Sequence, residues 1–176
     1  DTRGRITHFL AGIGTSGTLM GVSKRLREYN PNIQIIAVQP ENGTSIQGLK
    51  NLETQYVPAI WKRELVDEIY KVYLKEAEEV ARLLALQEGI FVGPSSGAIF
   101  HIALRKASEI DRGVMVVMAP DGGEKYLSTT LCDDPMLRMR TKIRHPMLLH
   151  RWNSHIESTI PSTRDDFSVK TCHKHN

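Results

Sequence analysis

Ile6-Thr7-His8-Phe9-Leu10-Ala11-Gly12-Ile13-Gly14-Thr15-Ser16-Gly17-Thr18 is the stretch whose reading decides the fold. Its first part, residues 6–11, is short and mostly apolar and predicts a buried strand. Its second part is a glycine-rich turn studded with hydroxyls. Beyond it Leu19, Met20, Val22, Leu26 and Tyr29 fall at roughly helical spacing, with Lys24, Arg25, Arg27 and Glu28 on the other side. Asn30-Pro31-Asn32 stops that helix. A strand, a glycine turn and a helix in succession are the opening of a parallel α/β sheet.

The rest of the chain repeats the alternation. Residues 33–38 form an apolar run broken only by Gln34, as suits a parallel strand covered on both faces. Residues 39–58 are a long polar connection with Gly43 and Gly48; connections of that length are usually functional or mobile. Residues 68–73 predict a third strand. Residues 75–87 predict an amphipathic helix with Ala77, Val80, Ala81, Leu84 and Ala85 inside, ended by Gly89 in a left-handed cap. Residues 90–92 predict a short strand, Gly93-Pro94-Ser95-Ser96-Gly97 a turn, 98–110 a helix and 114–118 a strand. Asp121-Gly122-Gly123 ends that strand, and a last helical turn is predicted over 124–128. The fold class is therefore α/β, a mostly parallel twisted sheet with helices on both faces. Ligands of such sheets lie beyond the carboxyl ends of the strands, where both glycine-rich turns fall.

Composition narrows the function classes. The chain has 176 residues, room for one ordinary domain, and a formal charge of +3. Residues 1–132 hold 15 basic and 15 acidic side chains, whereas residues 133–176 hold 8 basic and 5 acidic. The balanced part offers no basic face for nucleic acid. No apolar run reaches transmembrane length, so no membrane partner is expected. Cys132 and Cys172 make no disulfide framework, which points to a reducing, cytoplasmic setting. The chain opens on Asp-Thr-Arg-Gly-Arg without a methionine or a signal peptide, as a fragment would. After Asp133 the periodicity dissolves and five of the seven histidines appear; residues 133–176 are expected to be poorly ordered or foreign to the domain. Cys172-His173-Lys174-His175 lacks the fixed geometry of a metal centre, and no metal is expected.

The first turn has more than one reading. Gly12, Gly14 and Gly17 match the G-x-G-x-x-G dinucleotide fingerprint, although Gln39-Pro40 stands where an acidic residue should hold a ribose, with Glu41 just beyond. Alternatively, successive N–H groups of residues 14–18 at a helix N-terminus, with the hydroxyls of Thr15, Ser16 and Thr18, make a cradle for a phosphate monoester. A plain strand–helix turn with solvated hydroxyls is the third. Ser95 and Ser96 taken alone read equally well as helix caps.

Four strings in order carry a resemblance. The stretch from Ile6 to Thr18 resembles the phosphate loop of cysteine synthases of the tryptophan-synthase-β-like superfamily. Gln39-Pro40-Glu41-Asn42-Gly43-Thr44-Ser45-Ile46-Gln47-Gly48-Leu49 resembles that family's segment after the next strand. Glu88-Gly89-Ile90-Phe91-Val92-Gly93-Pro94-Ser95-Ser96-Gly97-Ala98 is similar to its pyridine-nitrogen loop. Asp121-Gly122-Gly123-Glu124-Lys125-Tyr126-Leu127-Ser128-Thr129 is similar to its closing motif. The resemblance covers residues 3–132 and is closest to the cysteine synthase B type.

What it implies is specific. Pyridoxal 5'-phosphate is the cofactor. Gly14, Thr15, Ser16, Gly17 and Thr18 would hold its phosphate, and Ser95 would hydrogen-bond its pyridine nitrogen. Gly43, Thr44, Ser45, Ile46, Gln47 and Gly48 would border the amino-acid substrate. A neutral serine hydroxyl at the ring nitrogen favours β-elimination over deep carbanion chemistry. The implied reaction is β-replacement: an O-activated serine, acetylated or phosphorylated, loses its α-proton and leaving group, and a sulfur donor adds to the β-carbon to give L-cysteine. Lys50 stands where a cation could meet a phosphate leaving group, or is a solvated surface lysine. The Schiff-base lysine belongs to an N-terminal half that is absent here, so no catalytic residue is assigned, and the chain alone is expected to be marginally stable and inactive. The architecture implied is an incomplete two-domain fold type II enzyme, residues 1–132 being its C-terminal part, with a homodimer for the complete enzyme. Other fold type II chemistry (cystathionine β-synthase or serine/threonine dehydratase-like), a nicotinamide-binding domain, and a non-catalytic partner are the alternatives.

Overall fold

Two strand directions of growth from one central strand organise the molecule. In the computed structural model, which describes residues 2–133 and the backbone of 167–172, the central strand is β1 (His8–Gly12). Helix α1 (Gly17–Tyr29) carries the chain to β2 (Gln34–Pro40), and a connection ending in a 3-10 turn (Arg63–Leu65) leads to β3 (Glu68–Val72). Helix α2 (Leu74–Leu83) continues through a π turn (Leu84–Glu88), and α3 (Pro94–Glu109) returns the chain to β4 (Gly113–Met118). The sheet order is β3-β2-β1-β4-β5, with every pairing parallel. The chain thus moves outward from β1 on one side and comes back to pair on its other side. That reversal opens a crevice between the carboxyl ends of β1 and β4, the usual ligand position in such sheets.

The alternation of side chains along β1 and β2 builds two cores. Phe9, Ala11, Ile35 and Ala37 pack with Leu19 and Met20 of α1 on one face. Leu10, Ile36 and Val38 pack with Ala77, Ala81, Ile99 and Ile102 of α2 and α3 on the other. Six of the seven residues of β2 are buried, as a strand covered on both faces requires. The helices meet closely because residue 97 is glycine: a Cβ there would lie 2.9 Å from both the Ala77 carbonyl carbon and the Ala81 Cβ.

Two local expectations fail. Residues 90–92 form no strand; only Val92 bridges, antiparallel, to Gly122. Residues 94–97 are not a turn but the first turn of α3. Pro94 at its first position has the backbone angle a helix needs and no N–H to waste there, so a turn-like composition begins a helix. Gly89, by contrast, ends the π turn at φ +69°, the left-handed cap expected. No element was expected within residues 133–176; Phe167–Cys172 forms strand β5, paired to β4 from Gly113↔Phe167 to Met118↔Cys172. Residues 134–166 and 173–176 lie outside the described residues, and with them most of the tail expectation and most of the Cys172-His173-Lys174-His175 cluster. No helix among the described residues is long and apolar enough to cross a membrane.

Candidate functional site

At the end of β1, the Ile13 N–H donates to Val38 O at 2.8 Å and the Ile13 side chain is fully buried, so the turn leaves the sheet from a fixed point. Ser16 caps α1 with a left-handed backbone, φ +67° and ψ 1°. That conformation costs a residue with a Cβ about 1–2 kcal/mol. It turns the chain sharply into α1, whose first N–H groups have no partner within the helix. The first turn of α1 contains no acidic side chain, leaving the positive end of its dipole uncompensated. The Ser16 Oγ is buried and has no hydrogen-bond partner. A buried hydroxyl without a partner is uncommon and calls for an occupant to satisfy it.

A cleft of about 230 Å³ opens here. It is lined by Gly14, Thr15, Ser16, Gly17 and Thr18 on one side, by Gly48 and Leu49 on another, and by Met118 and Pro120 at the end of β4. The crevice between β1 and β4 is therefore the site.

The connection after β2 is pinned across this crevice. The Lys50 N–H donates to Ile13 O at 2.6 Å. Asn51, 3% exposed, donates through Nδ2 to Pro40 O and to Asn42 Oδ1, while its own Oδ1 accepts from the Glu53 N–H. Asn51 was not singled out from the sequence; a polar residue inside a polar run carries no burial signal. Gly48 has φ +90° and touches both other segments. A Cβ on Gly14 would lie 2.8 Å from the Gly48 carbonyl oxygen, and a Cβ on Gly48 would lie 3.5 Å from the Ser95 Oγ. The first turn, the middle loop and Ser95 thus form one contact chain. Of the six residues expected beside a substrate, Gly48 lines the cleft and Ile46 is 1% exposed in the core. Gly43, Thr44, Ser45 and Gln47 stand outside the cleft wall, Gly43 at φ +77° in a turn closed by Thr44 N–H to Glu41 O.

Ser95 is 2% exposed at the start of α3. Its approach is held by Gly93 N–H to Asp121 O (3.2 Å) and Gly123 N–H to Phe91 O (3.1 Å). The Tyr126 hydroxyl donates to Asp121 Oδ2 at 2.7 Å. Burial, that hydrogen bond and the charges of Asp121 and Glu124 push the Tyr126 hydroxyl well above the usual tyrosine range, so it remains a donor. Among the described residues, no lysine lines the cleft.

The structure also weighs the dinucleotide reading. Gln39, at the end of β2, is 2% exposed and its Oε1 accepts from the Leu52 N–H. Glu41 faces Lys71 at 3.8 Å and caps the Asn42 N–H. Gln39 is therefore not free to hold a ribose, and Glu41 has its Oε1 engaged by the Asn42 N–H.

A family model described as pyridoxal-phosphate dependent enzyme matches residues 1–121. The chain belongs to that family. Among relatives of the pyridoxal-phosphate dependent enzyme, a cysteine synthase of Aquifex aeolicus is 48% identical over 139 residues, covering 76% of this chain and 42% of its own length. Cysteine synthase B of Escherichia coli is 44% identical over 129 residues, covering 73% and 43%. Among solved structures, O-acetyl serine sulfhydrylase isoform 3 of Entamoeba histolytica superposes with a TM-score of 0.70 at 32% identity, covering 76% of this chain and 43% of that one. The chain spans about two fifths of the length of the relatives it matches.

Proposed function

We propose that residues 1–132 form the cofactor-holding part of a cysteine synthase, which replaces the β-substituent of O-acetylserine or O-phosphoserine with sulfide. One observation carries the reading: the buried, unpartnered Ser16 Oγ stands in a cleft wall that also presents the open N-terminus of α1, and this wall connects through Gly48 to Ser95. The residues present suit pyridoxal phosphate. The N–H groups of residues 14–18 and the hydroxyls of Thr15, Ser16 and Thr18 would take the phosphate, with the dipole of α1 behind them. Ser95 would meet the ring nitrogen as a neutral hydroxyl, leaving that nitrogen without a fixed proton. Gly48, with no side chain, lets the loop backbone pass beside the ring. When bound, the cofactor supplies the electron sink that makes the α-proton and β-substituent of an amino acid labile.

Among the described residues the cleft wall contains no lysine, so the base and Schiff-base partner of the reaction would come from polypeptide other than this wall. The chain by itself would then bind the cofactor without turning over substrate. The free Cys132 suits a cytoplasmic setting. Equilibrium dialysis of the purified chain against pyridoxal phosphate and, separately, against NAD tests the reading. Retention of pyridoxal phosphate but not NAD is expected. Failure to retain pyridoxal phosphate, or production of cysteine from O-acetylserine and sulfide by this chain alone, would reject it.

A further inference from the structure

Asp121 holds a buried carboxylate oxygen, Oδ1, that has no hydrogen-bond partner. It stands where α3 begins. A Cβ on Gly93, the N-cap of α3, would lie 2.6 Å from that oxygen and 2.5 Å from the Tyr126 ring. Gly93 is therefore wedged between the Asp121 carboxylate and the Tyr126 ring, with its own N–H bonded to Asp121 O. Tyr126 is 4% exposed and is fixed at both ends, by the core around its ring and by Asp121 Oδ2 at its hydroxyl. Lys125, 3.9 Å from the same carboxylate, is largely in solvent and contributes little.

Two consequences follow for Ser95. It lies two residues past Gly93 on a helix of 16 residues, which moves as a body, so the seat of Gly93 sets where the Ser95 hydroxyl stands along the helix axis. Moreover, α3 has no acidic residue in its first turn and no side-chain cap. The Asp121 carboxylate is the negative charge at that positive helix end. An otherwise costly buried oxygen is tolerated there because the dipole stabilises it.

We propose that Asp121 and Tyr126 are positioning residues, a buried pair that seats the start of α3 and so fixes the Ser95 hydroxyl against the cofactor ring. This rests on the reading of the cleft given above. The pair touches neither cofactor nor substrate and acts through Ser95 alone.

The test is a double-mutant cycle in the full chain with pyridoxal phosphate as the probe. Ser95→Ala, Tyr126→Phe and their double variant are compared by dissociation constant and by the pH dependence of the bound cofactor's absorption, which reports the protonation of its ring nitrogen. Tyr126→Phe keeps the ring and removes only the hydroxyl. It is expected to weaken binding by about 3- to 10-fold, the worth of one lost hydrogen bond, and to move the absorption profile in the same direction as Ser95→Ala. In the Ser95→Ala background, Tyr126→Phe should change affinity by less than about twofold, because the pair then has nothing to position. Equal losses in both backgrounds, or an unmoved absorption profile, would overturn the inference while leaving the reading of the cleft intact. No binding by the unsubstituted chain would overturn both. Asp121→Asn, which keeps the shape and the acceptor for Tyr126 but removes the charge, runs through the same cycle and decides the matter if Tyr126→Phe does not fold.

Discussion

Gly97→Ala should separate the two helices that hold Ser95. A Cβ at residue 97 would sit 2.9 Å from the Ala77 carbonyl carbon and from the Ala81 Cβ, with the Ala77 carbonyl oxygen nearer still. Carbon atoms rest about 3.5–4.0 Å apart, and the nearer carbonyl oxygen demands still more room, so α2 and α3 must part by more than about 1 Å. The opposing atoms are backbone and a methyl group, and neither can swing away. Alanine gains about 1 kcal/mol over glycine in a helix, whereas overpacking of this kind costs about 1–3 kcal/mol or more. Because the obstruction is mostly backbone, the upper end applies, for a net loss of about 2 kcal/mol. For a domain between the size classes for which such shifts are known, this lowers Tm by roughly 6–10 °C. Gly21→Ala supplies the internal control. It lies within α1, and a Cβ there meets nothing within 4 Å, so it should raise Tm by a few degrees through propensity alone. Thermal unfolding followed by far-ultraviolet circular dichroism measures both. A Gly97→Ala variant as stable as the unsubstituted chain would refute the close-approach argument, and equal gains from both variants would show that helix propensity, not packing, governs residue 97.

Two further predictions concern particular side chains. Ser16→Gly should raise stability by about 1 kcal/mol by relieving the left-handed backbone while weakening pyridoxal phosphate about 10-fold or more by removing a hydroxyl aimed at a charged group; Ser16→Ala should show the second effect without the first, and unaltered affinity in both would exclude Ser16 from the phosphate cradle. His8 titrates below the ordinary histidine value, first because of burial and then because of Lys106, with Glu68 opposing. The unfolded chain therefore binds the extra proton first, so this contribution to stability is complete above pH about 6.5 and is lost as pH falls below it. Urea unfolding between pH 7.5 and 5.5 should show a loss that His8→Gln abolishes, and an identical slope in both proteins would count against the assignment.

The parallel α/β class was legible because β2 is apolar almost throughout and the strand–turn–helix alternation is regular. The glycine-rich turn between β1 and α1 was legible as a strand–helix junction, because clustered glycines and hydroxyls interrupt the apolar pattern there. Residues 94–97 misled because proline, serine and glycine compose turns and helix starts alike, and only the packing of α2 against Gly97 distinguishes them. Asn51 carried no signal, and the closing string that holds Asp121 and Tyr126 gave no sign that the two pair with each other, since a buried polar residue and a solvated one look alike in a linear chain. Their partners lie in segments whose juxtaposition no local pattern encodes.

Local chemistry along the chain determined where most strands and helices and the glycine-rich turn after β1 would form, because periodicity and backbone freedom are properties of neighbours in sequence. Which bends share one crevice was decided only by the tertiary structure. The return of β4 to the far side of β1 accompanies the approach of Gly48 to both residue 14 and Ser95, and that arrangement depends on how α1 covers one face of the sheet and α2 and α3 the other, a long-range packing balance that no short stretch contains.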